Sequence, residues 1–431
     1  MEAEPVVEAE RSPPVEPHVV FLHEKLIKRK SDRYIINLGL AFNKIGYKVT
    51  LYTSQYDKHD YVSDIDFSDN INVQLSGWWL PRSILGFFRT RLAALKATWM
   101  ALKVVFCPPE PRPEVIVLDL HLCALYILNI FTEYKIFYLE SFLDLKYTDA
   151  CYEHSRIYPT LLEAKWVKLA DEIIVETNGF AEIWKKSYPS LTKEPVILFP
   201  SIDIGLWSES GIKIQRIIPD LLDNTILFLS VGKFRRSSNF KLALDGFELL
   251  LELIDDKTVT KRFQLVIAGN CKYLEEKFYY NEMMAAAKER ICASQITFLK
   301  QLPIIHEKTL INESAIMIHP AKNDVYSDFL LKAMSLGKPI VACNKGIASK
   351  LLVHRLSGVV VEPDARMFAI AMKKLMMSPH LQVFLGDMAK DTFEKNYSFD
   401  SLCKKVNKIM RKSGDANESK TTTSVVTRKS D

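Results

Sequence analysis

Short runs of continuous apolar residues alternate with stretches of helical period along most of this chain. His18-Val-Val-Phe-Leu-His23 is one such run, and Asp32 to Lys44 follows with Ile35, Leu38 and Phe42 on one helical face. Further β-branched runs come at Tyr47 to Thr53, Glu114 to Leu118, Lys135 to Leu139, Glu172 to Val175 and Val196 to Phe199. The second half repeats the scheme with Thr225 to Val231, Phe263 to Ala268, Ile296 to Leu299, Ala315 to His319, Pro339 to Ala342 and Gly358 to Glu362. A strand that is apolar at nearly every position, rather than every second one, is buried on both faces. Alternation with helices therefore predicts an α/β fold with parallel sheets. Two such series predict two Rossmann-like domains whose sheets face a central cleft, with ligands at the carboxyl ends of the strands.

The length of 431 residues suits two domains, each of about 200 residues. The expected order is an acidic tail over 1–16, a first domain over 17–206, a linker over 207–224, a second domain over 225–412 and a second tail over 413–431. A net charge of +5 is small for this length and argues against a nucleic-acid partner. The seven cysteines are scattered with no C-x-x-C, which points to reduced thiols in a cytosolic setting. The opening MEAEPVVEAERSPPVEP lacks the apolar stretch of a secretory signal. No apolar run is long enough to cross a bilayer, and Leu122 to Phe131 reads as a core helix. The sequence has no P-loop, H-E-x-x-H or G-x-S-x-G pattern, and no metal site is indicated.

Two basic features carry chemistry. Lys233-Phe-Arg235-Arg236-Ser237-Ser238-Asn239 follows a strand and opens a helix. Cations, cap residues and backbone N–H groups at a helix N-terminus are what a diphosphate needs. Arg82, Arg89, Lys96 and Lys103 recur every seven residues and predict a basic stripe on an otherwise apolar helix, suited to an anionic membrane surface.

Several runs, in order, carry a resemblance over roughly residues 17–412: VVFLHEKL, GWWLPRS (Gly77 to Ser83), ILFPSID (Ile197 to Asp203), SVGKF (Ser230 to Phe234) and SGVVVEPD (Ser357 to Asp364). Together they resemble the GDP-mannose-dependent α-1,3/1,6-mannosyltransferases of asparagine-linked glycosylation, retaining enzymes of the GT-B fold. The resemblance implies GDP-mannose as donor, a dolichol-linked oligosaccharide as acceptor and no cofactor. It also implies residence at the cytosolic face of the endoplasmic reticulum membrane, with other mannosyltransferases of the pathway as expected partners. In that family two glutamates eight residues apart hold the nucleotide sugar; here the places are Asp324 and Lys332. By the same likeness Asp324 and Glu140 are the candidate catalytic residues. Lys233, Arg235, Arg236, Lys332 and Gly346 would bind the nucleotide sugar, and Arg82, Arg89, Lys96 and Lys103 would face the membrane. The departures are concentrated at the site: no glycine in the loop Glu24 to Lys30, Glu140 for a histidine, Ser238 for a lysine, and Lys332 for a glutamate. They imply, as the alternative, a catalytically impaired member that binds or scaffolds a partner in the same pathway.

Overall fold

A computed structural model of the chain describes residues 16–26, 30–56, 70–81, 88–119, 122–140, 165–202, 207 and 211–412. It divides into two compact units. The first takes the chain to Ile174 with Ser187–Val196 and the stretch from Val406; the second takes Val175–Lys186 and Ile197–Lys405.

The first unit is built on a seven-stranded sheet in the order β3-β2-β1-β4-β5-β6-β7. Its strands are β1 (His18–Leu22), β2 (Lys48–Thr53), β3 (Asn72–Leu75), β4 (Val115–Leu118), β5 (Lys135–Leu139), β6 (Glu172–Val175) and β7 (Val196–Ile197). β1 lies between β2 and β4, parallel to both, with Val19 opposite Val49 on one side and Val115 on the other. Every position of β1 and β4 is buried, which is why both read as unbroken apolar runs. The helices α1 (Lys30–Lys44), α2 (Arg89–Phe106) and α3 (Leu122–Phe131) connect these strands.

The second unit carries a six-stranded sheet in the order β10-β9-β8-β11-β12-β13. The strands are β8 (Ile226–Val231), β9 (Phe263–Gly269), β10 (Ile296–Lys300), β11 (Ile316–His319), β12 (Ile340–Cys343) and β13 (Val359–Val361). Phe228 in its centre meets Phe247 and Phe263 edge-on, at centroid distances of 5.6 and 5.4 Å. Where β9 ends, a Cβ on Gly269 would stand 1.5 Å from the Gly232 carbonyl oxygen. Only glycine lets the backbone after β9 approach the turn after β8 so closely.

In both sheets the chain builds outward from its first strand and then restarts on the other side. The reversal lies between β1 and β4 in the first unit and between β8 and β11 in the second. Loops diverge at such a switch point and leave room for a ligand. The expected linker 207–224 packs into the second unit instead: Trp207 and Ile218 are buried in its core with Leu227 and Leu229, and Ile214–Arg216 forms a turn of 3₁₀ helix. The apolar residues inside that polar stretch, rather than its turn-rich composition, decided its place.

Candidate functional site

At the switch point of the second unit, β11 ends at His319 and the chain loops into the helix Asp328–Ser335. Ser327 caps that helix, its Oγ accepting from the Leu330 N–H at 3.3 Å. In the loop, Asp324 is pinned from two sides. His319 Nε2 donates to its Oδ2 at 2.7 Å, and the Ile347 N–H donates to its carbonyl oxygen at 2.9 Å. Gly346 sits beside it with φ +63, and a Cβ there would stand 2.4 Å from Asp324 Oδ1. The glycine is thus required twice, for the left-handed backbone and for the space.

Lys332, the fifth residue of that helix, is only 7% exposed. Its Nζ donates to Glu307 Oε1 at 2.7 Å and lies 4.0 Å from Asp328 Oδ2. The same ammonium stands 3.9 Å over the Trp207 ring. Two carboxylates and an indole therefore satisfy it from within the unit. The charge expected to meet the nucleotide sugar is thus matched by partners of its own unit.

The basic turn after β8 divides in the same way. Arg235 Nε donates to Glu276 Oε1 at 2.9 Å, and Glu276 is buried. The second oxygen of Glu276 accepts the N–H groups of Lys272 and Tyr273 at 2.8 and 3.2 Å, fixing the start of the helix Leu274–Lys288. Arg235 is therefore a structural cation. Arg236 pairs with Glu282 at 2.9 Å, but its side chain is 80% exposed, so water competes and the pair is weak. Lys233 is exposed, and Ser238 Oγ donates to its carbonyl oxygen at 2.6 Å. Lys233 and Arg236 are the two cations of this turn that reach solvent.

At the switch point of the first unit, His23 follows β1 and Asp119 follows β4. His23 Nδ1 donates to Asp119 Oδ2 at 2.6 Å, and Nε2 donates to Asp32 Oδ1, in the first turn of α1, at 3.2 Å. Only a doubly protonated ring can donate from both nitrogens. Burial alone would lower its pKa, but the charge and hydrogen bond of Asp119 and those of Asp32 outweigh it and push it up to about 10. Glu140 follows β5 on the neighbouring strand, buried, its N–H donating to the Ile174 carbonyl at 3.0 Å. Asp32 and Asp119 escaped the sequence reading. The available signal was an aspartate directly after the apolar run VIVL.

The second unit contains a match to the family model for glycosyl transferases group 1, over residues 212–392. Over its length the chain is 25% identical to alpha-1,3/1,6-mannosyltransferase ALG2 of Dictyostelium discoideum, covering 92% of this chain and 98% of that protein. The corresponding protein of Mus musculus is 26% identical, with coverage of 91% and 95%. Over nearly its whole length the chain is thus similar, at about a quarter identity, to alpha-1,3/1,6-mannosyltransferases. Among solved structures it is similar to the sucrose-phosphate synthase of Thermosynechococcus elongatus, with a TM-score of 0.66, 15% identity and coverage of 93% and 100%. It is also similar to WaaG, a glycosyltransferase involved in lipopolysaccharide biosynthesis, with a TM-score of 0.59, 15% identity and coverage of 91% and 99%. These likenesses agree with a GT-B fold.

The expected basic stripe needs revision. Arg82 lies outside the described residues, as do the side chain of Arg89 and residues 27–29 of the loop after β1. Lys96 is only 4% exposed, and its stem lies under the turn at Gly77, whose Cβ would stand 4.0 Å from Lys96 Cγ. Lys103 Nζ lies 5.0 Å from the centre of the Tyr52 ring. With Lys96 buried, Lys96 and Lys103 do not share one solvent-facing line. What reaches solvent instead is aromatic. Trp78, Trp79 and Trp99 are 70%, 54% and 43% exposed, with Phe88, Leu95 and Phe106 beside them on α2 or at its start. Trp79 meets Trp99 edge-on at 5.4 Å. No described helix is long and apolar enough to cross a membrane.

Proposed function

We propose that the chain transfers mannose from GDP-mannose to a dolichol-linked oligosaccharide at the cytosolic face of the endoplasmic reticulum membrane. The observation that carries this reading is the carboxylate of Asp324, held at the carboxyl edge of β11 by His319. It occupies the switch point where parallel sheets bind ligands, in a chain that follows the mannosyltransferase relatives nearly end to end. Lys233 and Arg236 are the cations that would meet the diphosphate, and Glu140 would stand on the acceptor side. The exposed aromatic turn and α2 supply the lipid contact, since indole rings favour the headgroup region.

Calorimetric titration with GDP-mannose, beside transfer to a short dolichol-linked acceptor, tests the reading. Binding and turnover that both fall in Asp324→Asn are expected; absence of binding by a folded protein would overturn it. Sedimentation with anionic liposomes should lose most bound protein when Trp78 and Trp79 become Ser, and unchanged binding would reject the aromatic contact.

One observation favours the alternative of a non-catalytic binding partner. The place of the second family glutamate is taken by a lysine already matched to Glu307, and an ammonium accepts no hydrogen bond from a ribose hydroxyl. GDP-mannose binding without transfer, in both the natural chain and a Lys332→Gln, Glu307→Gln double variant, would decide for it.

A further inference from the structure

We infer that Asp119 is a binding carboxylate for a saccharide hydroxyl at the carboxyl edge of the first unit's sheet. The inference rests on the acceptor-side role proposed for that unit and extends it to a residue in no recognised motif. Three independent observations converge on it.

The first is topological. β1 and β4 are the two strands between which the sheet order reverses, and the residues immediately after them are His23 and Asp119. In a parallel sheet this is where connections leave in opposite directions and a small ligand finds room.

The second is the state of the carboxylate. Asp119 has a side chain only 4% exposed. Its N–H donates to the Leu22 carbonyl at 3.3 Å, and its Oδ2 accepts the hydrogen bond from His23 Nδ1–H. Its Oδ1 is buried and has no hydrogen-bond partner among the described residues. Buried carboxylate oxygens are rarely left without a donor, because the lost hydration is not regained. A ligand O–H would supply it.

The third is charge. His23 gives one positive charge against the carboxylates of Asp119 and Asp32, with Glu140 buried at the end of the next strand. An anionic ligand would be repelled here, whereas neutral hydroxyls that donate would be drawn in. That chemistry suits an acceptor sugar rather than a sugar diphosphate. His23 acts as a positioning residue: it holds Oδ2, so that Oδ1 presents one fixed acceptor.

The test is saturation-transfer NMR with α-mannobiose and the full chain, comparing wild type, Asp119→Asn and Asp32→Asn. Both variants remove one carboxylate partner of His23, so both should lower stability. Only Asp119→Asn should weaken mannobiose, by roughly tenfold for a lost charge-assisted hydrogen bond; Asp32→Asn should stay within about twofold of wild type. Equal affinity of Asp119→Asn and wild type would overturn the inference, as would equal losses in both variants or no binding by the wild type. The readout is independent of GDP-mannose, so a failure of transfer leaves it standing.

Discussion

The two switch points of this molecule solve the same problem in opposite ways. Around β8 and β11 the buried or half-buried polar side chains meet partners of their own unit: Asp324 with His319, Lys332 with Glu307, Arg235 with Glu276. Around β1 and β4, one imidazolium serves two aspartates and leaves an aspartate oxygen without a donor. The first edge meets most of its buried polar groups from within. The second keeps an unmet demand for a hydrogen-bond donor. Self-sufficiency and receptivity have been assigned to different halves of one chain.

The contrast breaks most visibly at Lys332. Lys332→Glu, which restores the residue type expected from the family, would set a third carboxylate beside Glu307 and Asp328 and discard the Trp207 contact. Chemical denaturation should show a loss of about 3 kcal/mol, in line with breaking a buried pair. A variant as stable as the parent would show that the pair is not holding the helix Asp328–Ser335. Arg235→Ala comes next, at about 2 kcal/mol, because it strands the buried carboxylate of Glu276. Gly346→Ala should cost about 1–2 kcal/mol through its positive φ and displace Asp324; reduced GDP-mannose binding would report that displacement. Arg236→Ala is the smallest, below about 0.5 kcal/mol, and a large loss there would place that exposed pair among the structural ones.

The first unit adds a pH signature. The folded pKa of His23, about 10, lies above its unfolded value of 6.5. Its contribution is complete below about 6.5 and drains away as the pH climbs toward about 10. The stability gap between wild type and His23→Asn should narrow over that interval, and a gap independent of pH would mean that the ring is not charged.

The fold was legible because its evidence is local: each buried strand announces itself by consecutive apolar residues, and VIVL needs no knowledge of its neighbours to be recognised. The basic turn at Lys233 was legible in the same way, whereas Asp324 and Glu140 were named from the family resemblance and Asp119, directly after VIVL, was missed. Partners were not. The carboxylate that claims Lys332 lies 25 residues away and the one that claims Arg235 lies 41 away, and nothing in periodicity couples such positions. The basic stripe failed on geometry: Lys96 keeps the heptad spacing, yet the turn at Gly77 covers it. Trp78 and Trp79 were read only as part of a motif, while their exposure is a tertiary property.

One strand also carries a matched pair of reporters. His18, at the opposite end of β1 from His23, is buried, and desolvation lowers its pKa. Its Nδ1 donates to the Pro111 carbonyl at 2.5 Å, which leaves Nε2 to accept from Thr50 Oγ1 at 2.9 Å. A single tautomer is thereby selected. Imidazole nitrogen spectra should therefore show one neutral ring and one fully protonated ring only a strand's length apart. Their separate disappearance during unfolding would give the first unit one native reporter for each end of its central strand.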